Sequence, residues 1–232
     1  MKRPFTVLNV ATSIDGRITT PQRDLIGFGG AEDRDRMDQL RADADAVLIG
    51  AGTLRDEDPM LSVSVPARIA ARQAAGRPAQ PVAAVVSGKL EFKLAGSRFF
   101  SVPGQSRWVF TGAAVAAARR AEVAVVAEIE PLPATTGGKL DLARLCERLY
   151  ERGIRRLLVE GGGDLNFGML RAGLVDEIRL TLCPLVFGGS APGAFAGEGF
   201  TKGSIPALDL VALEQAAGGR LFLRYQARHR PT

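Results

Sequence analysis

The sequence predicts an α/β domain, a three-layer α/β/α arrangement whose central sheet is mixed and mostly parallel and ends in a C-terminal antiparallel hairpin. Three observations predict it. Short, continuously apolar runs at residues 46–50, 82–86 and 157–159 are bounded by small residues, as strands buried on both faces of a parallel sheet are. Helical periodicity separates them, most clearly over residues 140–152, where Leu142, Leu145, Cys146 and Leu149 share one face and Gly153 stands as the C-cap. Residues 208–213 and 221–226 then flank Gly218-Gly219 as a hairpin does.

In chain order, residues 5–10 read as a β-branched strand, followed by a loop over 11–18 with Asp15-Gly16 turn chemistry. Residues 20–30 are irregular. Residues 31–41 form a helix, with Glu32 and Asp33 in its first turn and Arg41 in its last, matching the macrodipole. Strand 46–50 runs into a loop over 51–59 carrying Thr53 and an acidic group that includes Glu57. Ligands of open α/β sheets bind at such carboxyl ends, although a plain acidic surface loop fits the local pattern equally. Residues 61–65 alternate as an edge strand, and 67–75 form a short helix or loop. Strand 82–86 ends in Ser87-Gly88-Lys89, which suits phosphate or ribose contact or a simple turn. A strand at 107–110, a helix at 113–121, a strand at 123–126 and a loop at 131–138 follow; after the glycine cluster come a helix over 165–171 and a long strand over 175–186.

The chain is organised around residues 157–166: an apolar strand, then Glu160, then Gly161-Gly162-Gly163, then a helix start. Glycines at such a turn let a ligand touch the backbone, and the helix aims free N–H groups at the same spot. The spacing is neither a Rossmann fingerprint nor a P-loop.

Composition bounds the rest. At 232 residues and 24.6 kDa the chain suits one domain over 1–232. No apolar run approaches the roughly 20 residues of a membrane span, and polar residues from Asn9 onward interrupt any signal-peptide core, so a cytoplasmic protein is expected. The formal charge of +5 is scattered and lacks basic-aromatic interleaving, which favours a phosphorylated small molecule over nucleic acid. Cys146 and Cys183 are separate core residues, and His229 is the only histidine, so no metal site and no histidine-based nucleophile are expected. An enzyme of this composition takes its chemistry from a cofactor.

Several stretches together resemble one family. They are Ser13-Ile14-Asp15-Gly16-Arg17-Ile18, the run from Leu40-Arg41 to Gly50, Gly52-Thr53-Leu54-Arg55-Asp56-Glu57-Asp58-Pro59-Met60-Leu61, Val159-Glu160-Gly161-Gly162-Gly163 with Leu165-Asn166, and Phe187-Gly188-Gly189. In this order they resemble the riboflavin-biosynthesis pyrimidine reductases, the RibD C-terminal-domain type, and the stand-alone archaeal diaminopyrimidinone phosphate reductases most. The resemblance implies a dihydrofolate-reductase-like fold, a homodimer, and NADPH-dependent reduction of a phosphoribosylamino-pyrimidine to its ribitylamino form. It also implies cofactor contacts at Ala11, Thr53, Glu57, Ser87, Gly88, Gly161, Gly162 and Gly163. Arg41, Leu61 and Glu160 fall on the substrate side, with Glu160 and Asp15 as catalytic residues; Arg41 is the candidate for the substrate phosphate. Two departures sit on that side: residues 23–30 lack the family's usual substrate segment, and Ser62-Val63-Ser64 lacks its phosphate-binding arginine, which leaves Arg17, Arg55 or Arg68 as substitutes. A same-fold reductase of a pterin, folate or other heterocycle and a non-catalytic nucleotide-binding protein are the alternatives.

Overall fold

The structure, a computed structural model, describes residues 2–24 and 27–228; Leu25, Ile26 and His229 lie outside the described residues. The fold is α/β with mixed, mostly parallel strand pairing. In chain order its elements are β1 (Phe5–Ser13), α1 (Gly30–Asp43), β2 (Ala46–Gly50), α2 (Ala51–Asp56), α3 (Pro66–Ala74), β3 (Val82–Ser87), β4 (Arg107–Gly112), α4 (Ala117–Ala124), β5 (Glu128–Leu132), α5 (Leu142–Glu151), β6 (Arg156–Val159), α6 (Gly163–Arg171), β7 (Glu177–Cys183), β8 (Leu208–Gln215) and β9 (Leu221–Ala227). They fall into two compact units, one over residues 38–158 with the first four residues, the other over 5–37 and 159–232.

In the first unit the strand order is β5-β4-β3-β2, with β6 beside β2, and the registers from β2 to β5 are parallel. Val47, Leu48 and Ile49 are fully buried, as the continuous apolar run requires, and Ala83, Ala84 and Val85 are their counterparts on β3. Leu145, Cys146 and Leu149 of α5 are also fully buried, and Asp141 caps that helix by accepting from Arg144 N at 3.0 Å. The C-terminal end of α1 carries an unusual cap. Buried Arg72 donates to the carbonyls of Ala42 at 2.6 Å and Ala44 at 2.7 Å, and Arg77 donates to the same two at 3.2 and 2.6 Å. Those carbonyls have no intrahelical partner, and the two guanidiniums supply one.

In the second unit β1 pairs parallel with β7, β7 antiparallel with β9, and β9 antiparallel with β8. Thr6 N donates to Asp176 at 2.7 Å, tying the start of β1 to the approach to β7. The hairpin is the one the glycines announced, and β8 carries a register shift between Leu210 and Ala212.

Several local expectations are corrected. Residues 61–65 form no strand, and Ser62 is a bend. Side chains occupy the backbone groups a ladder would need: Gln105 takes the Leu61 carbonyl, Gln80 both polar groups of Val63, and Asp38 the Ser64 N–H. Residues 51–56 are helix rather than loop, and residues 11–13 continue β1. The helix expected at 113–121 begins at Ala117 and ends at Ala124; it absorbs Val123, fully buried, and leaves Val125 exposed, so 123–126 is no strand. The strand expected over 175–186 is confined to Glu177–Cys183, and β5 takes in Pro131 and Leu132.

Candidate functional site

The glycine turn is built as the sequence implies. Leu157, Leu158 and Val159 of β6 are buried, Glu160 is half-buried, and Gly161 has a φ of +91°, which a side chain would strain. The Gly161–Gly162 peptide is cis. Gly162 is the N-cap of α6 and offers no side chain to its first-turn N–H groups. A Cβ at Gly163 would lie 2.4 Å from the Gly193 carbonyl oxygen, so backbone passes directly over backbone here. The missing Cβ at Gly163 thus makes room for the chain's own backbone, while uncapped donors and a dipole end fit a phosphate of the expected NADPH.

A loop over residues 184–200 is stitched to this turn. Ala196 N donates to the Gly163 carbonyl at 3.0 Å, and buried Asn166 donates through Nδ2 to the Ala194 carbonyl at 2.9 Å. The other end of the loop is held by Asp15. Its carboxylate accepts from Ser13 Oγ at 2.7 Å, Phe187 N at 3.1 Å and Gly188 N at 2.8 Å. The Ser13 hydroxyl, then these N–H groups, hold its pKa down to about 2. Asp15 is thus a permanent carboxylate at neutral pH, and both its oxygens are engaged. Arg17 completes the fastening by donating to the Ala191 carbonyl at 2.6 Å and the Gly189 carbonyl at 3.3 Å.

The same unit holds a group that sequence reasoning passed over. Asp33, half-buried in the first turn of α1, accepts through Oδ1 from the Thr181 hydroxyl of β7 at 2.5 Å. Its Oδ2 lies over Gly29, where a Cβ would come within 2.1 Å of it. Burial pushes its carboxyl up; the Thr181 hydrogen bond, Arg220 and Arg34 oppose this, and the charge of Glu160 adds to it. Arg220 donates from Nη2 to the Phe28 carbonyl at 3.3 Å, while its buried Nε makes no hydrogen bond. The sequence read Asp33 only as a dipole partner. Its contact is 148 residues away, and no local pattern marks it.

The remaining expected residues lie in the first unit. The parallel registers align the carboxyl ends of β2, β3 and β4, pairing Gly50 with Val86 and Ser87 with Thr111. Ser87 Oγ accepts from Leu90 N at 2.9 Å, Thr111 Oγ1 donates to the Ser87 carbonyl at 2.8 Å, and Gly88 is exposed with open space where a Cβ would go. Thr53 is buried within α2, and Glu57, its C-cap, donates its N–H to the Thr53 carbonyl. Arg41 is not a helix-end charge in solvent. It is buried and donates from Nη1 to the Met60 carbonyl at 3.0 Å and the Ser62 carbonyl at 3.2 Å, on either side of fully buried Leu61. Of the possible substitutes for the missing arginine, Arg68 pairs with Asp38 at 3.1 Å and Arg17 holds the 184–200 loop; Arg55 is exposed in the last turn of α2. Ala11, Asp15, Glu160 and Gly161–Gly163 therefore belong to one unit, and Arg41, Thr53, Glu57, Leu61, Ser87 and Gly88 to the other.

Residues 4–222 match the model of the RibD C-terminal domain. The 2,5-diamino-6-ribosylamino-4(3H)-pyrimidinone 5′-phosphate reductase of Archaeoglobus fulgidus is 34% identical over 202 residues, 86% of this chain and 90% of that protein. A pyrimidine reductase-like protein from Corynebacterium diphtheriae superposes with a TM-score of 0.83 at 27% identity, covering 98% of this chain and 93% of that one. Dihydrofolate reductase from Enterococcus faecalis, solved with NADP(H), shares the fold with a TM-score of 0.50 at 9% identity, over 97% of each chain.

Proposed function

The chain belongs to the RibD C-terminal domain family, and from that premise we propose that it is an NADPH-dependent reductase of riboflavin biosynthesis. It converts a 5′-phosphorylated ribosylamino-pyrimidine to its ribitylamino form. The observation that carries this reading is Glu160 followed by the Cβ-free turn Gly161–Gly163 at the uncapped start of α6. The reaction takes one hydride and one proton: the C1′=N bond of the ring-opened ribosylamine becomes a secondary amine. When bound, the nicotinamide supplies the hydride. The chain's own residues bind, orient and balance charge.

In this reading the N–H groups at Gly161–Gly163 receive a cofactor phosphate, and Ala11, Thr53, Glu57, Ser87 and Gly88 make further cofactor contacts. The Glu160 carboxylate stabilises positive charge on the imine. Asp15, whose oxygens are already engaged, contributes as a fixed anion and as the clasp of the 184–200 loop. Arg41 serves the substrate side by holding the Met60 and Ser62 carbonyls, which keeps Leu61 in place. We further read the protein as a cytoplasmic homodimer formed by one reductase domain per chain. The support is an apolar face on the C-terminal strands: Leu208, Leu210 and Leu213 of β8 are exposed and pair with Ala227, Tyr225 and Leu223 of β9.

The test is loss of absorbance at 340 nm with purified protein, NADPH and enzymatically generated phosphoribosylaminopyrimidine, beside the Glu160→Gln variant. Turnover that the variant loses while its melting curve is unchanged is the expected result. NADPH binding with no turnover would defeat the substrate assignment and leave the cofactor assignment standing.

A further inference from the structure

Resting on that reading, we propose that Asp58 is a positioning residue for NADPH, its carboxylate setting the spacing of the two turns that carry Glu57 and Ser87–Gly88. The observation that points there is backbone conformation. Asp58 has a φ of +45° and Leu90 a φ of +57°. An aspartate enters that left-handed region at modest cost, whereas a bulky leucine there is a genuine outlier. Asp58 follows β2 and α2, and Leu90 follows β3, beyond strand ends that the parallel register sets side by side. Strained backbone of this kind persists only where its surroundings over-determine it, and it concentrates at ligand clamps.

The surroundings are specific. Asp58 accepts at Oδ1 from Ser97 Oγ at 2.5 Å and Phe99 N at 3.2 Å, and at Oδ2 from Arg98 N at 2.7 Å. Phe99 is fully buried and meets the Phe100 ring edge-on at 4.8 Å, so these donors ride on a fixed point of the core. Leu90, also fully buried, gives its N–H to Ser87 Oγ at 2.9 Å and takes Arg119 Nε on its carbonyl at 3.0 Å. Arg119 also donates to the Phe92 carbonyl, and the Phe92 ring stacks on Phe100 at 6.1 Å, which joins the Leu90 and Phe99 ends of the connection. Between these buried holders Glu57, Gly88 and Lys89 are exposed, where a ligand has access to them.

The substrate side has separate holders. Arg41 carries the Met60 and Ser62 carbonyls, Gln105 the Leu61 carbonyl, and Gln80 both polar groups of Val63. Loss of the Asp58 carboxylate therefore frees the turn at Glu57 and leaves Leu61 in place. A role in the fold alone would instead lower stability and leave cofactor affinity unchanged. Asp45 is the matching control. Beside the amino end of β2 it accepts from Arg155 N at 2.8 Å, Arg156 N at 2.9 Å and Arg77 Nη2 at 2.9 Å.

The experiment titrates NADPH fluorescence to obtain Kd for wild type, Asp58→Ala, Asp58→Asn, Ser97→Ala and Asp45→Ala, with Tm and both KM values beside it. Asp58→Ala should weaken NADPH roughly 10- to 100-fold and leave KM for the pyrimidine within about twofold of wild type. Asp58→Asn keeps an acceptor for Ser97 and Phe99 but turns an NH₂ toward Arg98 N, so it and Ser97→Ala should weaken NADPH by roughly three- to tenfold. Asp45→Ala should lose Tm and keep the wild-type Kd. An unchanged Kd in Asp58→Ala, or in Ser97→Ala where Asp58→Ala does not fold, overturns the inference while the reductase reading survives. An equal weakening in Asp45→Ala, or a rise of both KM values together, overturns it in the same way. If wild type binds NADPH without turning over the pyrimidine, only the substrate assignment falls, and the Kd values decide alone. A wild type that binds no NADPH overturns the cofactor reading and the inference with it.

Discussion

Replacing Gly163 by alanine tests whether the closeness of backbone to backbone at the glycine turn is structural necessity or slack. The new Cβ would stand 2.4 Å from the Gly193 carbonyl oxygen and 3.0 Å from the Ala196 Cβ. Reaching van der Waals separation requires the loop to retreat by roughly 1 Å. That retreat stretches the Ala196 N–H bond to the Gly163 carbonyl, now 3.0 Å, and the Asn166 bond to the Ala194 carbonyl, now 2.9 Å, to roughly 4 Å, beyond hydrogen-bond range. Two lost bonds at about 1 kcal/mol each and about 1–3 kcal/mol of overpacking are offset by about 0.5–1 kcal/mol from the stiffer unfolded chain. The net loss is about 3 kcal/mol, or roughly 6–12 °C in Tm for a chain of this size. Urea unfolding of Gly163→Ala beside Gly88→Ala provides the assay, since a Cβ at Gly88 meets nothing within 4 Å. The control should stay within about 0.5 kcal/mol of wild type. A Gly163→Ala variant as stable as the control would refute the reasoning, because the loop would then yield without resistance.

Asp15→Asn should lower Tm at pH 6 and converge on wild type as pH falls through about 2. The depressed carboxyl contributes stability that is full above its unfolded pKa and fades as pH falls through about 2, which calorimetry across that range would follow. Asp33 has the opposite sign. Its raised carboxyl stabilises the fold only at low pH and loses that contribution as pH rises, so Asp33→Asn should gain Tm at pH 7 and none near pH 3; a gain that is independent of pH would show another cause. At the end of α1, Arg72→Met and Arg77→Met each leave the shared carbonyls of Ala42 and Ala44 with one donor. Each should cost about 1 kcal/mol and the double variant about 4 kcal/mol in urea unfolding, a positive coupling that an additive double of about 2 kcal/mol would contradict.

Where an element was legible in the sequence, its burial was uniform along the segment. The runs at Ala46–Gly50 and Val82–Ser87 are apolar because both faces are covered, and the one-sided stripe of Leu145, Cys146 and Leu149 could not be mistaken. The failures share a cause: backbone groups satisfied from far away. Leu61 and Val63 alternate in burial like a strand, yet Gln80 and Gln105 take the hydrogen bonds, and neither glutamine announces itself. The candidate site divides in the same way. Glu160 and the three glycines stand together in the sequence, whereas the loop they touch lies about thirty residues on and is joined to them by Asn166 and Ala196. The sequence offers Arg41 as the candidate for a substrate phosphate, and its acceptors in the chain, the Met60 and Ser62 carbonyls, were not visible because they follow a strand and a helix later. Asp33 needed Thr181 on β7 and an empty Gly29 before it stood out from its acidic neighbours.

The discontinuity of the second unit has a consequence for how the protein is made. Val7 of β1 pairs with Glu177 of β7, so β1, once synthesised, lacks that partner until some 170 further residues have been added. At roughly 5–20 residues per second this is a wait of roughly ten to thirty seconds. The stretch over residues 38–158, which makes up nearly all of the first unit, is synthesised within that interval. A strand containing Val7, Leu8 and Val10, all destined for burial, meanwhile leaves the ribosome with its β7 edge open. On that schedule β1 is among the last strands to find its β7 partner, and a nascent-chain binder that recognises short apolar β segments would find a target in Phe5–Ser13.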